Sequence, residues 1–131
     1  MTVAETKVDR RTILVVEDDQ NVRRVLNIAL SRAGFAVAEV ETGAEALTLL
    51  QAGGVSGMLL DMSLRDQGTG DVLAWLHEHE ERPPWLVLSA MDHADAALVD
   101  DAIDGRFVAK PFDPWDLIER IKQMIGPNEE E

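Results

Sequence analysis

Short apolar runs of strand length alternate with longer segments of helical period along most of the sequence. Apolar residues in the longer segments recur every three or four positions, as they do on the buried side of a helix. Alternation of this kind predicts an α/β domain, built on a doubly wound parallel sheet with helices on both faces. The five predicted strands are the runs 12–16, 35–40, 55–60, 85–89 and 106–109.

Capping and turn residues indicate where the intervening helices begin and end. Thr42 and Glu45 form a capping box at the start of the second helix, and Asp113 before Pro114 opens the last one. Gly34 stands where the first helix is expected to end. The predicted helices cover residues 22–33, 42–51, 70–79, 92–103 and 113–125.

The length and charge of the chain limit the classes of function that the protein can have. A chain of 131 residues fits one domain, expected over 12–126, between a flexible leader at 1–11 and an acidic tail at 127–131. Its 25 Asp and Glu residues against 12 Lys and Arg give a formal net charge of −13, which disfavours direct binding to nucleic acid or an anionic membrane. The absence of cysteine excludes disulfides and thiolate metal sites, and we expect a cytoplasmic location.

Charged and polar residues stand at the carboxyl ends of the predicted strands. They are Glu17 and Asp18 at the first strand, Asp61 at the third, Ser89 at the fourth and Lys110 at the fifth. In a parallel sheet these ends meet at one edge, so we expect the side chains to form one site there. Clustered carboxylates repel one another, and Mg²⁺, which prefers oxygen ligands, would relieve the repulsion. An aspartate beside Mg²⁺ is a candidate nucleophile toward phosphorus, with Lys110 as the countercharge.

Four of these segments together resemble the receiver domain of two-component response regulators. The segment "ILVVEDD" is similar to the family's first strand and acidic pair, and "LLDMS" to its phospho-acceptor strand. The segment "LVLSA" is similar to the strand with the switch hydroxyl, and "FVAKPF" to the lysine signature. The four motifs occur in the family's order over roughly residues 12–126, and they imply its flavodoxin-like strand order 2-1-3-4-5.

The resemblance implies a role for each residue at a matching position. Asp61 would be the phosphorylated aspartate. Asp18 would hold Mg²⁺ directly and Glu17 through water, and Asp61 would be a further ligand. The backbone carbonyl of Ser63, two residues after the acceptor, would also bind the metal.

The resemblance also implies a switch on the neighbouring strands. Lys110 would pair with Asp61 and later with the phosphoryl group, and the Lys110-Pro111 bond would be cis. Ser89 would turn inward to the phosphoryl group, and Phe107 would move inward with it.

The loop after the acceptor departs from the family's pattern. The family usually has proline four residues after the acceptor, where this sequence has Arg65, and the loop "LRDQGTG" is one residue longer. We expect these changes to reshape partner contacts or the lifetime of the phosphate. Glu17 stands where aspartate is commoner.

We therefore expect a signalling domain that catalyses only its own phosphorylation and dephosphorylation. A sensor histidine kinase or phosphotransfer protein would phosphorylate Asp61, and the chain would act as a stand-alone receiver on an unidentified protein target, with homodimerisation left open. One alternative is a receiver-like module that binds without phosphorylation. Another is a Mg²⁺-dependent phosphatase with an aspartyl-phosphate intermediate, which is disfavoured because such enzymes usually place a second aspartate where this chain has Ser63.

Overall fold

The strands and helices follow the predicted alternation. The structure, a computed structural model, describes residues 11–91, 95 and 105–127. The strands are β1 (Thr12–Val16), β2 (Ala36–Val40), β3 (Gly57–Asp61), β4 (Trp85–Ser89) and β5 (Phe107–Ala109). The helices with described bounds are α1 (Gln20–Arg32), α2 (Gly43–Ala52), α3 (Thr69–Glu78) and α4 (Pro114–Ile125). The predicted helix 92–103 lies outside the described residues except for Asp95, and so do most of the predicted leader and tail.

The five strands form one sheet in the order β2-β1-β3-β4-β5, and every neighbouring pair is parallel. This confirms the predicted doubly wound fold and its strand order. The third strand begins two residues later than the apolar run and ends on Asp61, since Asp61 still pairs with Leu88 of β4. No helix within the described part of the chain has the length and apolar character needed to cross a bilayer.

Two apolar layers cover the faces of the sheet. Leu14 and Val16 of β1 pack on the side of α2 and α3, whereas Ile13 and Val15 pack on the side of α1 and α4. All residues of β3 and β4 are buried. Because the central strands are covered on both faces, their sequences are continuous apolar runs and do not alternate with polar residues. The core therefore holds the carboxyl ends of these strands in fixed register.

The predicted helix caps are confirmed. The Asp113 carboxylate accepts hydrogen bonds from Trp115 N at 2.8 Å and Asp116 N at 3.4 Å at the start of α4. The Thr42 hydroxyl accepts from Glu45 N at 3.1 Å at the start of α2, and the Glu45 carboxylate accepts the Thr42 hydroxyl at 3.0 Å. The bonds from Glu45 N, Trp115 N and Asp116 N satisfy backbone amide groups that have no partner within the helix.

The loop between β3 and α3 packs directly against the beginning of α2. A Cβ added to Gly43 would lie 2.5 Å from Gly68 O and 2.6 Å from Gly68 Cα, so only glycine fits this approach. The carboxylate of Asp66 joins the two segments, since it accepts from Gly43 N at 3.1 Å and from Gly68 N at 2.9 Å. The longer loop noted in the sequence is thus fastened to α2.

The contact between the two glycines predicts opposite effects for two glycine-to-alanine changes. Gly43→Ala would place a methyl group against backbone atoms and should lower the free energy of unfolding by about 1–3 kcal/mol, the usual cost of overpacking. Gly70→Ala in α3 meets open space and should raise it by up to about 1 kcal/mol, because alanine favours a helix. Urea unfolding of both variants measures the difference, and equal stability of the two would contradict the packing argument.

Candidate functional site

The strand register brings the predicted site residues to one edge of the sheet. Val16 pairs with Leu60, so the residues that follow them, Glu17 and Asp61, lie level with each other. The next strand, β4, pairs with β3 and ends on Ser89. Beyond it, the backbone N–H of Lys110 donates to Ser89 O at 2.7 Å, which continues the pairing of β4 with β5.

Three carboxylates form an acidic cluster at this edge. Glu17, Asp18 and Asp61 each offer an oxygen atom, and these atoms lie within 4.8 Å of one another. Glu17 has no exposed surface and Asp61 is 3% exposed, whereas Asp18 is only partly buried. The donor set consists of carboxylate oxygens, some of them buried, which fits a hard divalent cation such as Mg²⁺. The cluster thus has the composition that the predicted metal site requires.

Lys110 joins two of these carboxylates. Its Nζ atom lies 2.7 Å from Glu17 Oε1 and 3.4 Å from Asp61 Oδ1. The following peptide bond, Lys110-Pro111, is cis, as the resemblance implied. The ammonium group therefore supplies a countercharge between two buried carboxylates from strands far apart in sequence.

The electrostatic balance of the site appears in two shifted pKa values. The pKa of Glu17 is raised from 4.5 to about 7, because burial and, after it, the neighbouring Asp61 carboxylate raise it more than Lys110 lowers it. Burial lowers the pKa of Lys110, but the hydrogen bond to Glu17 and the charge of Asp61 outweigh it, so that this pKa is raised overall. The site without a metal thus favours a proton on Glu17 and keeps the charge on Lys110.

The loop after β3 binds back onto the acidic cluster. Ser63 N donates to Asp61 Oδ1 at 3.0 Å, and Arg65 N donates to Asp18 Oδ2 at 2.7 Å. The buried hydroxyl of Thr69 donates to the backbone carbonyl of Asp61 at 2.7 Å. The loop therefore orients two of the three carboxylates.

Ser89 ends β4 at this edge, whereas Phe107 begins β5 and pairs with Val87, two residues before Ser89. Ser89 is 1% exposed, and its Oγ accepts a hydrogen bond from Met91 N at 2.9 Å. Phe107 is partly buried against the apolar layer under α2 and α3. Strand alternation places Ser89 and Phe107 on the same face, opposite to Asp61. Their role as a switch stays a prediction.

Two supporting residues were missed by the sequence reasoning. Arg23 of α1 donates to Glu17 O at 2.8 Å and forms an ion pair with Glu41 at 2.9 Å, so it holds the backbone under the acidic pair. Thr69 holds the backbone of Asp61. Neither has a local signal, because each contact depends on how a helix lies against a strand end. Buried polar groups, however, need partners, which is a reason to expect such donors.

The family comparison agrees with this geometry. Residues 13–122 match the family model of the response regulator receiver domain. The match covers most of the chain, and the protein therefore belongs to this family of signalling domains.

Curated relatives are similar to this chain over part of their own length. The chain is 33% identical over 118 residues to the transcriptional regulatory protein GltR of Pseudomonas aeruginosa, covering 88% of this chain and 49% of GltR. It is 31% identical over 122 residues to the DNA-binding response regulator MtrA of Mycolicibacterium smegmatis, covering 93% of this chain and 54% of MtrA. The chain thus spans about half the length of these relatives.

Solved structures show the same fold. The response regulator TrrA of Thermotoga maritima, solved in complex with Mg²⁺-BeF, is 27% identical with a TM-score of 0.76, over 87% of this chain and 98% of that one. The receiver domain of a Francisella response regulator is 20% identical with a TM-score of 0.78, over 88% and 97% of the two chains. The second likeness concerns the fold alone.

The raised pKa of Glu17 predicts how the stability of the metal-free protein depends on pH. Between its ordinary value of 4.5 and about 7, Glu17 keeps a proton in the folded state that the unfolded state has lost. The free energy of unfolding of the wild type should therefore fall relative to that of Glu17→Gln as pH rises through this window, and the difference should level off above it. Urea unfolding of both proteins, with a chelator present and at several pH values in this range, measures the difference in their free energies of unfolding. A difference that does not change with pH would contradict the raised pKa.

Proposed function

We propose that this protein is a phospho-acceptor receiver that takes a phosphoryl group from a sensor histidine kinase or a phosphotransfer protein onto Asp61. The observation that carries the proposal is the placement of Asp61 itself. Its buried carboxylate ends the central strand, lies 3.4 Å from the ammonium of Lys110 and shares a cluster with Glu17 and Asp18.

In the proposed reaction, a carboxylate oxygen of Asp61 attacks the phosphorus of a phosphohistidine. A new O–P bond forms on Asp61 while the P–N bond of the donor breaks. The imidazole nitrogen leaves with the electron pair of that bond, and the proton on the ring's other nitrogen keeps the departing imidazole neutral. The product on this chain is an acyl phosphate.

The surrounding residues position and neutralise charge in this transfer, which is the main contribution of a protein to phosphoryl transfer. Glu17, Asp18, Asp61 and the backbone carbonyl of Ser63 would hold Mg²⁺, which when bound supplies positive charge to the phosphoryl oxygens. Lys110 is already within reach of Asp61 Oδ1 and would pair with the transferred group.

The proposed output begins at Ser89 and Phe107. The Ser89 hydroxyl, now bound by Met91 N, would rotate to donate to a phosphoryl oxygen, and Phe107 would move inward with it. The altered surface would then engage a protein target. The relatives GltR and MtrA are named as a transcriptional regulator and a DNA-binding response regulator, whereas for this acidic chain we propose action through protein contacts in the cytoplasm.

The acceptor role predicts a gain in mass that depends on one residue. Incubation with acetyl phosphate and MgCl₂ should add one phosphoryl group to the wild type, and chelation of the metal should prevent it. Asp61→Asn should stay unmodified, because its amide is a poor nucleophile. Asp71→Asn, an exposed change in the first turn of α3, should be modified like the wild type. Measurement of the intact mass of all three proteins shows which of them gain a phosphoryl group.

Other outcomes of the same experiment favour the alternatives. A wild type that gains no phosphoryl group with MgCl₂ present would favour a module that binds without phosphorylation. Turnover of a phosphate monoester, abolished by Asp61→Asn, would favour the phosphatase.

A further inference from the structure

Arg65 contacts the acidic cluster through both its backbone and its side chain. Its N–H donates to Asp18 Oδ2 at 2.7 Å, and its Nε lies 3.8 Å from the same oxygen. The side chain is 86% exposed, so the guanidinium lies on the solvent side of the carboxylate. Asp18 is thus a proposed metal ligand that already has a cation beside it.

The position of Arg65 is maintained by the loop around it. Ser63 N binds the carboxylate of Asp61 on one side, and Asp66 binds Gly43 N and Gly68 N on the other. Hydrogen bonds on both sides of Arg65 therefore hold the loop in place, and they fix the backbone of Arg65 at the edge of the site.

The charge of Arg65 bears directly on any cation bound by Asp18. A guanidinium nitrogen within 4 Å of the ligand carboxylate is well inside the screening distance, about 10 Å at 0.1 M salt. The guanidinium group therefore repels a divalent ion bound at Asp18 and competes with that ion for the carboxylate. Lys110 also adds positive charge, but it is bound to Glu17 and Asp61, inside the cluster. Arg65 can be removed without exposing those buried carboxylates.

We propose that Arg65 is a determinant of divalent-cation affinity, which weakens the binding of Mg²⁺ by competing for Asp18. The inference rests on the proposed Mg²⁺-dependent function and adds to it a control on how much metal the site needs. The chain would then require a higher Mg²⁺ concentration for phosphorylation than the same site without this charge.

Titration calorimetry with MgCl₂ at low ionic strength tests the proposal in the absence of any phosphoryl donor. Arg65→Gln keeps the backbone N–H and removes the charge, and it should bind Mg²⁺ roughly three- to fivefold more tightly than the wild type, as expected for one exposed charge neighbour. Added NaCl should reduce this gain. Arg65→Lys keeps the charge and should stay within about twofold of the wild type.

Arg32→Gln is the matched control for net charge. Arg32 is an exposed residue at the far end of α1, about 18 Å along the helix from its first turn. Its removal makes the same change in net charge and should leave the affinity unchanged. A comparable gain in this variant would assign the effect to overall charge and overturn the proposal.

The results separate this inference from the proposed function. Equal or weaker binding by Arg65→Gln, with clear binding by the wild type, overturns the role of Arg65 alone. If neither protein binds Mg²⁺, both the inference and the metal-dependent function are overturned.

Discussion

The burial of two carboxylates against one ammonium at the end of a parallel sheet is the interaction on which the site depends. Glu17 and Asp61 are almost fully removed from solvent, and the ammonium group of Lys110 lies between them. Buried charges of like sign are costly even when a partner is present. The raised pKa of Glu17 expresses that cost. A site that is unfavourable to folding in this way is suited to accept a cation, because binding removes the repulsion.

The fold supplies the rigidity that such a site needs. The central strands β1, β3 and β4 are buried on both faces, and their register fixes which residues reach the edge. Glu17 and Asp61 are therefore neighbours although 44 positions separate them in sequence. The apolar core and the acidic site are two consequences of the same parallel pairing.

Much of this arrangement was accessible from the sequence. The predicted runs 12–16 and 85–89 have the same bounds as β1 and β4. A strand that is buried on both faces is a continuous apolar run, so the first and last apolar residues mark its ends. The edge strand β2 and the short strand β5 were each predicted one residue too long at the start. The strand-end residues of the site followed from the rule that the carboxyl ends of parallel strands share one edge, whereas Ser63 and Phe107 came from the family resemblance.

The parts that escaped prediction depend on loop paths. Arg23 and Thr69 bind the backbone of Glu17 and Asp61, and Asp66 ties the loop to α2, but none of these contacts has a periodic or local signal. The departure at Arg65 was visible in the sequence, whereas its contact with Asp18 requires the three-dimensional course of the loop.

Two separate sets of contacts link Asp61 to the rest of the fold. One connection runs across the sheet, since Lys110 binds Asp61 with its side chain and Ser89 with its backbone. The other runs through the loop, since Ser63 N takes a carboxylate oxygen of Asp61 as its acceptor and Asp66 holds the same loop to α2. Phosphorylation of Asp61 would convert that charged acceptor into the carbonyl oxygen of an acyl phosphate, which is a weaker acceptor. A change at this carboxylate therefore acts directly on Lys110, which follows β5, and indirectly, through the loop, on the start of α2.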